Sequence, residues 1–142
     1  MYKKILLPAD LPDSNTLQKS VNTAVDLART YEAELHVVYV LPDFGVGMVS
    51  SYFDEGFQKT AMEKATQQLE EFAAAHAKGV KAVKTYVLYG TIYDQIIKAA
   101  KECGADLIVM GSHRPALEDY LIGPNAARVM RHAKQSVFIV RD

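Results

Sequence analysis

The sequence has little of what marks secreted, membrane-spanning or nucleic-acid-binding proteins. A single cysteine, Cys103, excludes a disulfide within the chain and fits a reducing compartment; we interpret it as a helix-packing residue. The apolar run within MYKKILLPAD is too short for a signal peptide or a spanning helix, so we expect a cytoplasmic protein without membrane contact. The net charge of −1, without any basic run, argues against a dedicated nucleic-acid surface.

Several catalytic and cofactor motifs are also absent. There is no G-x-x-x-x-G-K-[ST] phosphate loop, no Cys and His cluster with zinc spacing, and no G-x-S-x-G nucleophile turn. The stretch GVGMVS, residues 45–50, resembles a dinucleotide fingerprint only superficially, because it lacks the final glycine and does not open a convincing helix. A hydrolase or transferase with an activated nucleophile therefore has the least support.

What the sequence does contain is an alternation of apolar strands and amphipathic helices. Its 142 residues, 49% of them hydrophobic, suffice for one domain spanning 1–142. The predicted strands are KILLP, LHVVYV, KAVKTYVLYG, DLIVMG and SVFIV, and three of them are almost continuously apolar. With a helix between each pair, the order predicts a largely parallel α/β sheet covered by helices on both faces.

The helices are predicted from apolar residues at three- and four-residue steps and from their end signals. The second spans roughly 57–78 with Gly79 as a stop, and the third follows Thr91 as a candidate N-cap and ends before Gly104. The fourth follows Gly123 and has Pro124 at its first position. The residues expected to face inward are Leu17, Val21, Ala24, Val25 and Ala28; Phe57, Ala61, Ala65, Leu69, Phe72 and Ala73; Ile92, Ile96, Ala100 and Cys103; and Ala126, Val129, Met130 and Ala133.

Ligands of open α/β sheets bind at the carboxyl ends of the strands, which directs attention to residues 8–13, 40–43, 89–91 and 111–125. The last segment has Gly111 at a strand end and Gly123 at a helix start, where free N–H groups and the helix dipole favour an anion. His113, Arg114 and Arg128 add donors. We predict a phosphate site here, although glycines at such positions also serve purely as turns. Residues 42–56 are expected to form a surface loop near the same edge.

Three segments resemble the universal stress protein family: YKKILLPAD, YGTIYDQIIKAAKECGADLIVMGSHRP and LIGPNAARVMRHAKQSVFIVRD. They are similar to its small single-domain members, and the likeness is weakest at residues 41–80. The resemblance implies a three-layer, Rossmann-like α/β fold with a five-stranded parallel sheet of order 3-2-1-4-5. It also implies a homodimer, which we expect to form through SVFIV because this apolar strand would lie at a sheet edge.

In the ATP-binding branch of that family, an acidic residue after the first strand and a glycine signature after the fourth hold the nucleotide. The signature is Gly, two residues, Gly, nine residues, Gly, then Ser or Thr. Gly111 and Gly123 match it, but Arg114 replaces the second glycine, the next spacer has eight residues, and Pro124 replaces the hydroxyl residue. A guanidinium can neutralise phosphate or stack on a base, whereas Pro124 removes an N–H and a hydroxyl that Asn125 replaces only in part.

The resemblance implies the following nucleotide-binding residues: Pro8, Ala9, Asp10, Val38, Val40, Met110, Gly111, His113, Arg114, Gly123, Pro124 and Asn125. Asp10 would face the ribose or adenine or help to hold Mg²⁺, and is otherwise a turn or N-cap acid. Val38 and Val40 would supply apolar and main-chain contacts to adenine, and are otherwise core residues. His113 is either a phosphate ligand or a loop histidine without a ligand.

Two functions remain open from the sequence. One is a cytoplasmic stress protein that binds ATP, with slow hydrolysis at most, and acts by regulating its conformation or its partners. The other is a dimeric interaction module of the same fold that binds no nucleotide, which Arg114, Pro124 and the short spacer favour.

Overall fold

The computed structural model describes residues 1–42, 55–112 and 122–141; at residues 13–16, 42, 55 and 57 it describes the backbone only. The strands are β1 (Lys4–Pro8), β2 (Glu34–Pro42), β3 (Ala82–Gly90), β4 (Leu107–Gly111) and β5 (Ser136–Val140). The helices are α1 (Ser14–Tyr31), α2 (Glu55–His76), α3 (Ile92–Cys103) and α4 (Pro124–His132), with a 3₁₀ turn at Leu11–Asp13 before α1.

The strands form one parallel sheet in the order β3-β2-β1-β4-β5, which confirms both the predicted fold class and the strand order. β1 is therefore the central strand, and β3 and β5 lie at the edges. The segments KILLP and SVFIV have the bounds that the sequence predicts, and the other three strands agree to within two residues at each end.

Alternate residues of the strands face two separate cores. Ile5, Leu7, Leu35 and Val37 pack against α1 and α2 in one cluster of buried side chains. Their neighbours Leu6, Val38 and Ile108 pack against α3 and α4 in the other. Because both faces of the inner strands are covered, burial of apolar surface on both sides stabilises the sheet, at about 25 cal/mol per Å² of area removed from water.

The predicted helices are confirmed, with differences at their ends and on one face. The predicted stripe of α1 is buried throughout, and Gly104 adopts the expected left-handed conformation, with φ 73°, after α3. Thr91 is the N-cap of α3, but its side chain makes no capping hydrogen bond. The prediction that Met130 faces inward is wrong: its side chain points away from the α3–α4 core and is 49% exposed. α2 ends at His76, so Gly79 lies in the following turn.

The predicted surface loop of residues 42–56 lies mostly outside the described residues, since β2 reaches Pro42 and α2 begins at Glu55. Among the helices that the structure describes, none combines the length and the apolar character needed to span a bilayer.

Side chains of several strands close the amino edge of the sheet. The Asp106 carboxylate accepts hydrogen bonds from the backbone N–H groups of Lys3 (2.9 Å) and Lys4 (3.1 Å), and thereby joins the starts of β1 and β4. The Lys4 ammonium donates to the carbonyl of Cys103 at the end of α3 (3.3 Å) and lies 3.8 Å from the Glu34 carboxylate. These bonds place charged donors and acceptors where the strands begin.

A buried histidine extends these contacts to the edge strand β3. His36 is 2% exposed, and its Nδ1 lies 2.9 Å from the Tyr86 hydroxyl, while Nε2 lies 3.4 Å from the Glu34 carboxylate. A carboxylate only accepts, so in the neutral imidazole Nε2–H donates to Glu34 and Nδ1 accepts from Tyr86. The hydrogen bond from His36 lowers the pKa of Glu34, with a smaller contribution from the Lys4 charge.

Candidate functional site

The carboxyl edge of the sheet differs from the amino edge because β1 and β4 part there. The pairing of β1 with β2 continues to Pro8 opposite Val38, and the N–H of Ala9 donates to the Val38 carbonyl at 2.8 Å. The pairing of β1 with β4 ends earlier, at Leu6 opposite Ile108. This is the point at which the strand order reverses, so the parting strands form the crevice in which α/β sheets bind ligands.

Two hydrogen bonds fix the base of the loop that follows β4. The N–H of Ser112 donates to the Val140 carbonyl of β5, and the N–H of Gly123 donates to the Ser112 carbonyl, each at 2.9 Å. The two glycines of the predicted signature, Gly111 and Gly123, are thus brought together on either side of the buried Ser112. His113 and Arg114 lie outside the described residues.

Gly111 is not required by the fold. Its φ lies outside the left-handed region, and a Cβ built on it would meet only the Ser20 hydroxyl oxygen, at 3.9 Å, an ordinary contact distance. Neither backbone conformation nor packing within the described residues therefore excludes a side chain here. A glycine at a strand end also permits the close approach of a ligand to the backbone.

The amino end of α4 suits an anion. Gly123 is its N-cap with extended backbone (φ −64°, ψ 160°), Pro124 occupies the first helical position as predicted, and the first turn has no acidic residue. In the part of the chain that the structure describes, no side chain caps this end. The early N–H groups of a helix have no partner within the helix, so those of Asn125 and Ala126 and the positive end of the dipole remain for an anion.

The predicted residues of β1 and β4 differ in exposure. Ala9 and Met110 are buried, Pro8 and Gly111 are half-buried, and Asp10 is exposed just beyond the end of β1. Among the side chains that the structure describes, Asp10 offers a carboxylate at this edge, the kind of group that contacts a ribose or a cation. Among the described residues, no three His, Cys, Asp or Glu side chains converge into a metal-binding group.

The two valines predicted to contact adenine have buried side chains. Val38 is 1% and Val40 is 8% exposed, and both pack in the core between the sheet and α3 and α4. The Val38 carbonyl already accepts the N–H of Ala9. In the described structure their side chains are core residues, the alternative that the sequence left open, so contact with a ligand would have to come from the main chain near Val40.

Tyr39, between these valines, was missed by the sequence analysis. Its half-buried ring packs on the opposite face of β2, against the α1–α2 core. Burial raises the pKa of the Tyr39 phenol, and the nearby Asp10 carboxylate raises it further, so the hydroxyl stays a hydrogen-bond donor at neutral pH. The alternation of faces along a strand is the only signal that could have separated Tyr39 from its neighbours.

Two other side chains named from the sequence, Arg128 and Cys103, make packing contacts within the fold. The Arg128 guanidinium lies 5.0 Å from the centre of the Tyr93 ring, a cation–π contact that joins α4 to α3. Cys103 is half-buried against the α3–α4 core, and burial raises the pKa of its thiol, which fits the predicted packing role.

Together, the parallel sheet of order β3-β2-β1-β4-β5, the crevice between β1 and β4 and the start of α4 define a Rossmann-like α/β domain. The sequence profile of the universal stress protein family matches residues 1–141, and the chain belongs to this family. Universal stress protein G of Shigella flexneri is 32% identical over 149 residues, covering 99% of this chain and 100% of that protein.

Solved structures agree with this assignment. Universal stress protein UspA from Lactobacillus plantarum superposes with a TM-score of 0.76 at 25% identity, covering 99% of this chain and 98% of that one. The universal stress protein from Archaeoglobus fulgidus, solved in complex with dAMP, has a TM-score of 0.69 at 21% identity, covering 97% of each chain. The second likeness bears on the fold alone.

Proposed function

We propose that this universal stress protein binds an adenine nucleotide, ATP in the first instance, at the carboxyl ends of β1 and β4, and acts as a cytoplasmic regulatory protein of the stress response. The observation that carries the proposal is Gly111, whose missing side chain the fold does not require. A universal stress protein of the same fold has been solved in complex with dAMP, which makes an adenine nucleotide the first ligand class to test.

The roles of the residues follow from the chemistry of the ligand. Phosphate oxygens accept hydrogen bonds from the first N–H groups of α4, at Asn125 and Ala126, with the main chain of Gly111 and Gly123 alongside. In the segment where the sequence puts them, Arg114 supplies positive charge and His113 a hydrogen-bond donor. Asp10 contacts the ribose or shares a Mg²⁺ ion with the phosphates, because Mg²⁺ is commonly held by one or two carboxylates together with substrate phosphates.

The first test is whether the purified protein carries a nucleotide. Heat-denatured protein should release ATP or ADP, identified by chromatography with mass detection, and the stripped protein should bind ATP with Mg²⁺ in calorimetry. No released nucleotide together with no binding at millimolar ATP would contradict the proposal.

A pair of glycine variants makes the test specific to the site. Gly111→Ala should leave the unfolding free energy almost unchanged, because the new methyl group has room, yet weaken ATP binding by about tenfold or more, equivalent to about 1.4 kcal/mol. Gly104→Ala is the matched control. It should lose about 1–2 kcal/mol of stability, because Gly104 is left-handed, and keep the ATP affinity. Equal affinities in the two variants would locate the ligand elsewhere.

The second candidate is an interaction module that works through a dimer and binds no nucleotide. Pro124 favours it, because it removes one N–H from the anion site. The edge strand β5 favours it too, since Phe138 is 45% exposed there. Sedimentation analysis should give a dimer that Phe138→Glu converts to a monomer; a monomeric wild-type protein would rule this interface out.

A further inference from the structure

The central strand β1 ends in a proline, which is unusual because a proline cannot donate to the ladder of an inner strand. On its β2 side the ladder nevertheless continues through Pro8. On its β4 side it stops two residues earlier, at Leu6. The crevice thus opens on one side of β1 only.

The direction of each backbone N–H explains this asymmetry. Successive residues of a strand present their N–H and C=O groups alternately to the neighbour on either side. The N–H of Ala9 points to β2, where it meets the Val38 carbonyl, so an N–H at position 8 would point to β4.

The same alternation orients the facing groups of β4. The N–H of Ser112 points to β5, where it meets the Val140 carbonyl. The backbone groups of Gly111 and Val109 therefore point to β1. In a ladder continued past Leu6 and Ile108, the acceptor for an N–H at position 8 would be the Val109 carbonyl.

We propose that Pro8 is a positioning residue that holds the β1–β4 crevice open, because it removes the first N–H that would extend the ladder. With Pro8 in place, neither Pro8 nor Gly111 pairs across these two strands, and the main-chain edge of Gly111 faces the crevice instead of a neighbouring strand. This role differs from direct contact with a nucleotide. Its consequence for ligand affinity rests on the proposed function, whereas the strand pairing does not.

The test compares variants that have an N–H at position 8 with variants that lack it. Pro8→Ala adds an N–H without the ring. The matched control is lactic acid at the same position, introduced by nonsense suppression, which has the alanine side chain but an ester in place of the amide. Pro8→Gly is a second way to restore the N–H should Pro8→Ala fold poorly.

We expect the amide at position 8 of Pro8→Ala to exchange slowly with solvent and to show hydrogen-bond coupling to the Val109 carbonyl in NMR spectra. The dissociation constant for ATP should rise about tenfold in Pro8→Ala, and stay within about twofold of wild type in the lactic acid variant, a difference of about 1.4 kcal/mol or less.

Two results would overturn the inference. A rapidly exchanging amide at position 8 would mean that no ladder bond forms, and equal weakening in both variants would mean that the proline ring, and not its missing N–H, matters to the ligand. If wild-type protein binds no adenine nucleotide, the proposed function fails by itself. The exchange measurement then still decides whether Pro8 ends the ladder.

Discussion

The amino and carboxyl edges of the sheet are built from the same strands but in opposite ways. At the amino edge, Asp106 joins β1 to β4, and Lys4, Glu34 and His36 extend polar contacts to Tyr86 on β3. At the carboxyl edge, the pairing of β1 with β4 has already ended. One edge thus satisfies polar groups of the described residues within the chain, while the other is the place of the proposed ligand site. Substitutions at the amino edge should change the free energy of unfolding, and substitutions at the carboxyl edge should change the affinity for the proposed ligand.

The largest effect should come from His36→Ala at the amino edge. The change leaves a cavity and deprives the Tyr86 hydroxyl of its partner, so we expect a loss of about 2–4 kcal/mol in the free energy of unfolding. Urea denaturation would measure it. ATP affinity of the folded variant should equal that of wild type, and a parallel loss of affinity would break the comparison between the two edges.

A smaller effect should follow Asp106→Ala. The carboxylate accepts from two backbone N–H groups, and its removal should lower the unfolding free energy by about 1.5 kcal/mol. The exposed Glu70→Ala on α2 is a control that should change stability by less than about 0.5 kcal/mol. Equal stabilities for the two variants would mean that Asp106 does not hold the strand starts together.

The smallest effect should be the pH dependence contributed by Glu34. Its pKa in the folded protein lies below the ordinary value of 4.5, chiefly because His36 donates to it. The contribution to stability is therefore present above about pH 4.5 and lost as pH falls through the folded value. Urea denaturation between pH 3 and pH 6 should show that the free energy of unfolding falls less steeply with decreasing pH in Glu34→Gln than in wild type. Equal slopes would mean that other groups cause the loss of stability in acid.

The strands were predictable because local composition decides them. KILLP and SVFIV have the expected bounds, and the start of α4 at Pro124 was evident from its fixed backbone angle. The exposure of Met130 was not predictable. Periodicity shows that a helix has an apolar stripe, but it does not show how much of that stripe the neighbouring elements cover. α4 packs against α3 and β5, and the exposed Met130 side chain lies outside these contacts.

The two glycines that bound the proposed site were predictable, but the contacts around them were not. Gly111 and Gly123 were named correctly as the ends of one loop, which the Gly123–Ser112 hydrogen bond now explains. Tyr39 was not singled out because its neighbours Val37, Val38 and Val40 are apolar on both faces of β2, so alternation gives little contrast at that position. The role of Pro8 depends on which neighbour its missing N–H would face, and that follows from strand order and register rather than from the residues around it.

The bond between Gly123 and Ser112 has a consequence for how such a protein can evolve. It closes the segment between them into a ring whose ends stay together whatever the length of the ring. Loop-closure entropy changes slowly with length, by about 0.6 kcal/mol for each doubling. As far as closure entropy is concerned, insertions and deletions between these residues therefore cost little, and under the proposed function the ligand sets the length of this segment.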